Sequence, residues 1–171
     1  MAAVARHGGP APGFSLPDLE GVMHDPADMR GRILVLNFWS AACPWSARAD
    51  DELRALRGAW GQGVALWWIA SNADEQAESQ RQAAATRGLG PLLRDPQAQV
   101  ADLYGAVTTP HLFVIDGSGI LRYAGGLDEA TFRQRAPGRR HVHEAVEALL
   151  RGQLPEVAET PPYGCAIVHP S

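Results

Sequence analysis

Ile33-Leu34-Val35-Leu36-Asn37-Phe38-Trp39-Ser40-Ala41-Ala42-Cys43-Pro44-Trp45-Ser46 is an apolar run that breaks on small residues and ends at a cysteine followed by proline. Seven residues without polar alternation suit a strand buried on both faces, as in a parallel sheet. Downstream, Ala49, Leu53, Leu56 and Trp60 recur at helical spacing until Gly61 and Gly63 stop the pattern. Cys43 therefore stands where a strand hands over to a helix. A thiol there meets unpaired backbone N–H groups and the positive end of the helix dipole, and both favour thiolate. An ordinary cysteine, with a pKa of about 8.5, is only about 3% ionised at pH 7. The placement points to redox chemistry.

A second apolar run, Val64–Ala70, completes a strand–helix–strand crossover. Upstream, Phe14–Leu16 and Val22–His24 flank Asp18-Leu19-Glu20-Gly21 as a short hairpin, and Asp25-Pro26 opens a single turn closed by Gly31. Ser71-Asn72-Ala73-Asp74 offers caps for a polar helix ending near Gly88. Leu92-Leu93 reads as a short strand, and Asp95-Pro96 opens a helix carrying Val100, Leu103 and Tyr104 as far as Gly105. His111–Ile115 and Ile120–Ala124, divided by Asp116-Gly117-Ser118-Gly119, form a hairpin. Val142, Ala145, Val146, Leu149 and Leu150 give the last helix one apolar face, whereas Leu127–Arg140 has no period and reads as a loop. The fold class is α/β, a central mixed sheet flanked by helices. The expected organisation is a loose N-terminus (1–13), one domain (14–152) and a Pro-rich tail (153–171) carrying Cys165.

The 171 residues carry a net charge of −4, with fifteen basic residues that are all arginine. No basic face is visible, so nucleic acid is a poor partner. The longest apolar run is too short for a bilayer and the N-terminus lacks an apolar leader, so no membrane association is expected and the chain reads as cytoplasmic. Two cysteines in that setting suggest catalysis or redox sensing rather than a structural staple.

Asn37-Phe38-Trp39 leading into Cys43-Pro44, Thr109-Pro110 before a strand, and Phe113-Val114-Ile115-Asp116-Gly117 resemble the thioredoxin fold. More narrowly, the chain is similar to the AhpC/TSA (redoxin) family, in a peroxiredoxin-like branch. That branch ends in Gly-Cys-x-Ile-Lys, against Gly164-Cys165-Ala166-Ile167-Val168 here. It also pairs Thr-Pro-x-x-Phe with Tyr-x-Gly-x-x-Asp, against Thr109–Phe113 and Tyr123–Asp128. The resemblance spans roughly residues 10 to 168. It implies a cis Pro110 lying beside Cys43, with Thr109 and Pro110 part of the catalytic turn. Ser40 falls where the branch places Thr or Cys.

The departures are equally informative. The second thiol of a Cys-x-x-Cys pair is replaced by Ser46, Asn37 stands where thioredoxins bury a carboxylate, Leu36 replaces a peroxiredoxin proline, and Pro110 aligns with the peroxide-orienting arginine.

The candidate catalytic set is thus Cys43, Cys165, Ser40, Ser46, Thr109 and Pro110, with Trp39, Pro44, Trp45 and His111 on the substrate side. Cys43 attacks a peroxide or a disulfide, and Cys165 resolves by condensing with the oxidised sulfur; otherwise Cys165 is a free tail thiol or an intermolecular contact. Ser46 either donates to the thiolate or bonds to backbone as a first-turn serine. Trp39 is as well explained by core packing. His141 and His143 point to different sides of a helix, and with His169 they give no four-ligand set, so no metal and no cofactor are expected. The partners implied are a small peroxide or a protein or low-molecular-weight disulfide, and a reducing thiol such as thioredoxin or glutathione. The alternatives are a one-cysteine exchanger and a non-catalytic partner-binding or sensing module.

Overall fold

The computed structural model describes residues 4–171. Its centre is a five-stranded sheet of β3 (Ile33–Trp39), β4 (Val64–Ala70), β5 (Leu92–Arg94), β7 (His111–Ile115) and β8 (Leu121–Gly125), in the order β5-β4-β3-β7-β8. The pairs β3–β4 and β4–β5 are parallel, while β7 joins β3 and β8 antiparallel, so the sheet is mixed as expected. Every residue of β3 and β4 is buried, which accounts for their unbroken apolar sequence. One face carries Ile33, Val35 and Trp39 under α1 (Pro44–Trp60), α2 (Ala77–Arg87) and α4 (His141–Leu150). The other carries Leu34, Leu36 and Phe38 against α3 (Gln99–Tyr104) and Ile167 of the tail. A strand buried on both sides is what fixes the position of the loop that leaves its end. The short hairpin is present as β1 (Leu16–Pro17) and β2 (Met23–His24).

Three expectations change. Residues 5–11 are not loose: Ala5, Gly8 and Ala11 donate backbone N–H bonds to Leu103, Leu121 and Gly119 at 3.0, 2.7 and 2.9 Å. The remaining part of that expectation, residues 1–3, lies outside the described residues. Helix α2 starts at Ala77 behind Gln76 rather than on the Ser71–Asp74 caps. Those side chains are engaged elsewhere, Ser71 Oγ on Asp95 at 2.7 Å and Asn72 Oδ1 on the Val168 N–H at 2.7 Å. Asp95 does not start a helix in place but reaches forward, accepting from the N–H groups of Val100 and Ala101 at the head of α3.

The Pro-rich tail docks along its length. It runs beside β8, where Ala124 and Thr160 exchange backbone bonds with each other's neighbourhood (Ala124 N–H to Ala158 O and Thr160 N–H to Ala124 O, both 3.0 Å). It finishes as β9 (Cys165–Ala166), antiparallel to β6 (Thr108–Thr109), with Thr109 opposite Cys165.

Candidate active site

Cys43 is the N-cap residue of α1, with extended backbone and Pro44 in the first helical position, where a missing N–H costs nothing. It is 2% exposed. Two groups converge on its sulfur: the Thr109 carbonyl oxygen at 3.1 Å and the Cys165 sulfur at 2.7 Å. Both cysteines are free thiols. The Thr109–Pro110 peptide is cis, as the resemblance implied.

The two thiols are inequivalent. Burial raises the pKa of Cys43, but hydrogen bonds from the Cys165 thiol, the Thr109 side chain and the backbone N–H groups of Ser46 and Cys165 outweigh it and hold Cys43 below the ordinary thiol value. Cys165 moves the opposite way, pushed up to about 11 by burial, by its hydrogen bond to Cys43 and by the Cys43 charge. The opposite shifts make Cys43 the first of the two thiols to lose its proton, while the Cys165 S–H is retained to a much higher pH. Alkylation against pH is therefore expected to show one early step on Cys43 and a separate step on Cys165 near pH 11. Removing the donor with Cys165→Ala should slow Cys43 alkylation at pH 7 by about fivefold, the loss of one hydrogen bond of about 1 kcal/mol. An unchanged rate would show that Cys165 does not support the thiolate.

The tail is held onto this site by close backbone approach. A Cβ on Gly164 would lie 2.0 Å from the Thr109 carbonyl oxygen and 3.1 Å from Pro110 Cδ, so only glycine fits before Cys165. Beyond it, the Ile167 N–H bonds to Val107 O at 3.0 Å and Ala73 N–H to Val168 O at 2.8 Å.

A cavity of about 950 Å³ opens beside the pair, lined by the 40–43 loop, α2 and the tail. Sequence reasoning missed the charged groups on its walls. Glu75 holds the loop: its carboxylate accepts from Ser40 Oγ, from Ala41 N–H at 3.1 Å and from Ala42 N–H at 3.4 Å. Arg87 donates to the Ala41 carbonyl at 2.8 Å and to Asp50 at 3.2 Å. Asp50 is fully buried on α1 and also accepts the indole N–H of Trp39 and of Trp68, both at 2.9 Å. Two tryptophans and an arginine around one helical aspartate form a signal visible only once the elements are packed.

Several expected site residues do other work. Ser40 is buried and bonded to Glu75 rather than to Cys43, because the carboxylate sits directly over the loop. Ser46 Oγ accepts the Ser40 N–H at 3.2 Å, the backbone alternative; what reaches Cys43 from Ser46 is its own N–H. Trp39 has no exposure and is a core residue, its ring under Arg87 and its N–H on Asp50, so it cannot touch substrate. Pro44 is exposed and Trp45 half-buried, packed edge-on against Tyr163 at 4.9 Å, and neither lines the cavity beside Cys43.

His111 does not line the cavity of Cys43. It stacks on Phe113 at 4.6 Å, takes the Val107 N–H on Nδ1 at 3.2 Å and borders a separate cavity under residues 4–7. Burial lowers its pKa to about 4. Because the folded value lies below the unfolded value of about 6.5, the neutral imidazole's contribution is complete above pH 6.5 and is lost as pH falls through 4. The difference corresponds to about 3 kcal/mol. Urea unfolding at pH 7 and pH 4 should show a loss in the parent chain that His111→Asn, which keeps an acceptor for Val107, reduces by about that amount. Equal losses would refute the assignment.

The remaining histidines serve packing and surface pairs. His143 takes the Trp60 indole N–H at 3.2 Å, His141 is buried against Tyr123 rather than at the surface, and His169 meets Asp102 at 2.9 Å. No metal-holding cluster occurs among the described residues.

With this geometry in hand, the relatives are informative. Residues 7–124 match the model of the AhpC/TSA family. The chain belongs to that family. It is 36% identical over 114 residues to the thiol-disulfide oxidoreductase ResA of Geobacillus thermodenitrificans, covering 66% of this chain and 64% of that one. A ResA of Halalkalibacterium halodurans is 32% identical over 131 residues, 74% of this chain and 73% of the relative. The chain thus spans about two thirds to three quarters of these family members. Among solved structures, the hypothetical protein SMc02350 of Sinorhizobium meliloti superposes with a TM-score of 0.88 at 29% identity, over 99% of this chain and 97% of that one. That near-complete overlap extends the shared architecture to the tail. No helix among the described residues is long and apolar enough to cross a membrane.

Proposed function

We propose that the protein is a two-thiol, thiol-dependent oxidoreductase acting by thiol–disulfide exchange, with Cys43 as nucleophile and Cys165 as resolving thiol. The observation that carries this reading is the 2.7 Å approach of two free sulfurs with oppositely shifted pKa values. The Cys43 thiolate attacks one sulfur of a substrate disulfide, forms a mixed disulfide and releases the other sulfur as a thiolate. The Cys43 charge is consumed in that step, which removes one of the causes holding Cys165 protonated. Cys165 then gives its proton to the released thiolate and attacks Cys43, displacing the second substrate thiolate. Two electrons pass to the substrate and a Cys43–Cys165 disulfide remains. The order of attack is built into the pair.

Thioredoxin or glutathione would recharge the disulfide, and a cytoplasmic setting would keep the resting thiols reduced. Peroxide is a weaker substrate in this reading. The loop N–H groups of Ala41 and Ala42 that could steady a peroxide oxygen are already on Glu75, and proline stands in place of the orienting arginine. The catalytic assignment also extends to Thr109 and the Pro110 turn, which hold the thiolate and the tail.

The test is to mix reduced protein with neutral 2-hydroxyethyl disulfide, or with hydrogen peroxide, and follow intact mass and non-reducing peptide maps. Loss of two hydrogens with a Cys43–Cys165 peptide, faster with the disulfide, is expected. A faster reaction with peroxide would favour the peroxidase alternative. Cys43 inert to both would leave a partner-binding module.

A further inference from the structure

We propose that Gly164–Val168 is a displaceable strand, and that the slot it fills binds extended peptides of other proteins with the pattern Gly-Cys-x-aliphatic. The inference rests on the exchange reading and names its substrate class.

The slot has two walls that bond to the main chain of the tail. On one side, β6 pairs with Cys165 and Ala166, and Val107 O takes the Ile167 N–H. On the other, Asn72 Oδ1 takes the Val168 N–H at 2.7 Å and the Ala73 N–H donates to Val168 O. Main-chain bonds of this kind bind any extended peptide; side-chain contacts select among them. Two contacts select here. The position before the cysteine lies against Thr109 and Pro110 with no space for a Cβ. The position two after it is a buried socket, where Ile167 is 7% exposed and packs with the cluster that includes Leu34, Leu36 and Phe38. The intervening Ala166 is exposed and unselected.

The occupant is argued from the tail itself, which shows the sequence the slot accepts and puts a sulfur 2.7 Å from Cys43. While the tail is seated, Cys43 is nearly inaccessible, so a protein disulfide must take the tail's rung on β6. A tethered strand competes at the high effective concentration of an intramolecular ligand. Loosening it should therefore favour outside peptides.

The experiment uses the full-length Cys165→Ser chain, in which a mixed disulfide on Cys43 persists. The probe is the peptide Tyr-Gly-Cys-Ala-Ile-Val with its cysteine activated as a thionitrobenzoate disulfide. Cys43 attack leaves the peptide on Cys43 and releases coloured thionitrobenzoate. The matching peptide should react at least about tenfold faster than versions with Gly→Ala or Ile→Asp. Adding Gly164→Ala to the chain should raise the matching rate several-fold. In the peptide adduct, the Ile167 and Val168 amides should lose hydrogen-exchange protection, while the adduct of 2-hydroxyethyl disulfide keeps it. Equal rates for the three peptides, or retained protection in the peptide adduct, would overturn the proposal. If 2-hydroxyethyl disulfide reacts while the peptides show no preference, only this proposal falls. If nothing reacts with Cys43, the exchange reading falls with it.

Discussion

Replacing Cys165 by alanine is expected to stop the protein after one chemical event, with Cys43 left as a mixed disulfide with its substrate. In the parent chain the Cys165 sulfur is held at contact distance by a strand pair and by a glycine that lets the backbone settle on the Thr109–Pro110 turn. Well-oriented intramolecular partners reach effective concentrations of about 10⁵–10⁸ M. Against millimolar external thiol, loss of Cys165 should slow release by at least about a thousandfold even when much of that advantage is unrealised. Stopped-flow mixing with 2-hydroxyethyl disulfide, followed by acid quench and mass measurement, separates adduct formation from release. A variant that turns over at the parent rate would show that the tail thiol has no part in resolution.

The second large effect is on stability. Arg87→Met should cost about 3–5 kcal/mol of folding free energy, because it strands the Asp50 carboxylate without its cation. Asp50 is already raised by burial, with the indoles of Trp39 and Trp68 and the Arg87 guanidinium opposing the shift. Without Arg87 that opposition weakens and the folded pKa rises further above the unfolded one. A raised carboxylate pKa destabilises above it and is relieved as the group protonates. The penalty should therefore shrink as pH falls towards the raised value. Chemical denaturation of both chains between pH 5 and 8 measures this. A penalty that stays constant with pH would mean the loss is one of packing against the Trp39 ring rather than of charge.

What the amino-acid pattern made legible, and what it hid, divides along physical lines. Continuous burial of Ile33–Trp39 and Val64–Ala70 is written in local hydrophobicity, and the position of Cys43 follows from where the first run ends. The Thr109–Pro110 turn and the tail motif were legible only by resemblance. Expectations failed where a polar side chain chose among distant partners. Ser40 had no local reason to prefer Glu75, thirty-five positions away, and Ser71 none to prefer Asp95 over a cap. Asn37 is instructive: its buried amide has no hydrogen-bond partner among the described residues, and the buried carboxylate that bonds to β3 and β4 is Asp50 of α1, through the indoles of Trp39 and Trp68. His111 was misassigned because adjacency to Pro110 in sequence says nothing about which side of the sheet its ring enters.

The two ends of the chain have a joint consequence. The outer side of β8 is bordered by the N-terminal segment, through Gly8, Gly9 and Ala11 on Leu121 and Gly119, and by the tail through Ala158 and Thr160 on Ala124. At the opposite margin, Asp18 bridges Leu93 on β5. An uncovered strand margin is a template for self-association into fibrous stacks. The termini thus act as selvedges, and proteolytic clipping between Leu154 and Thr160 would turn a finished border into an adhesive one.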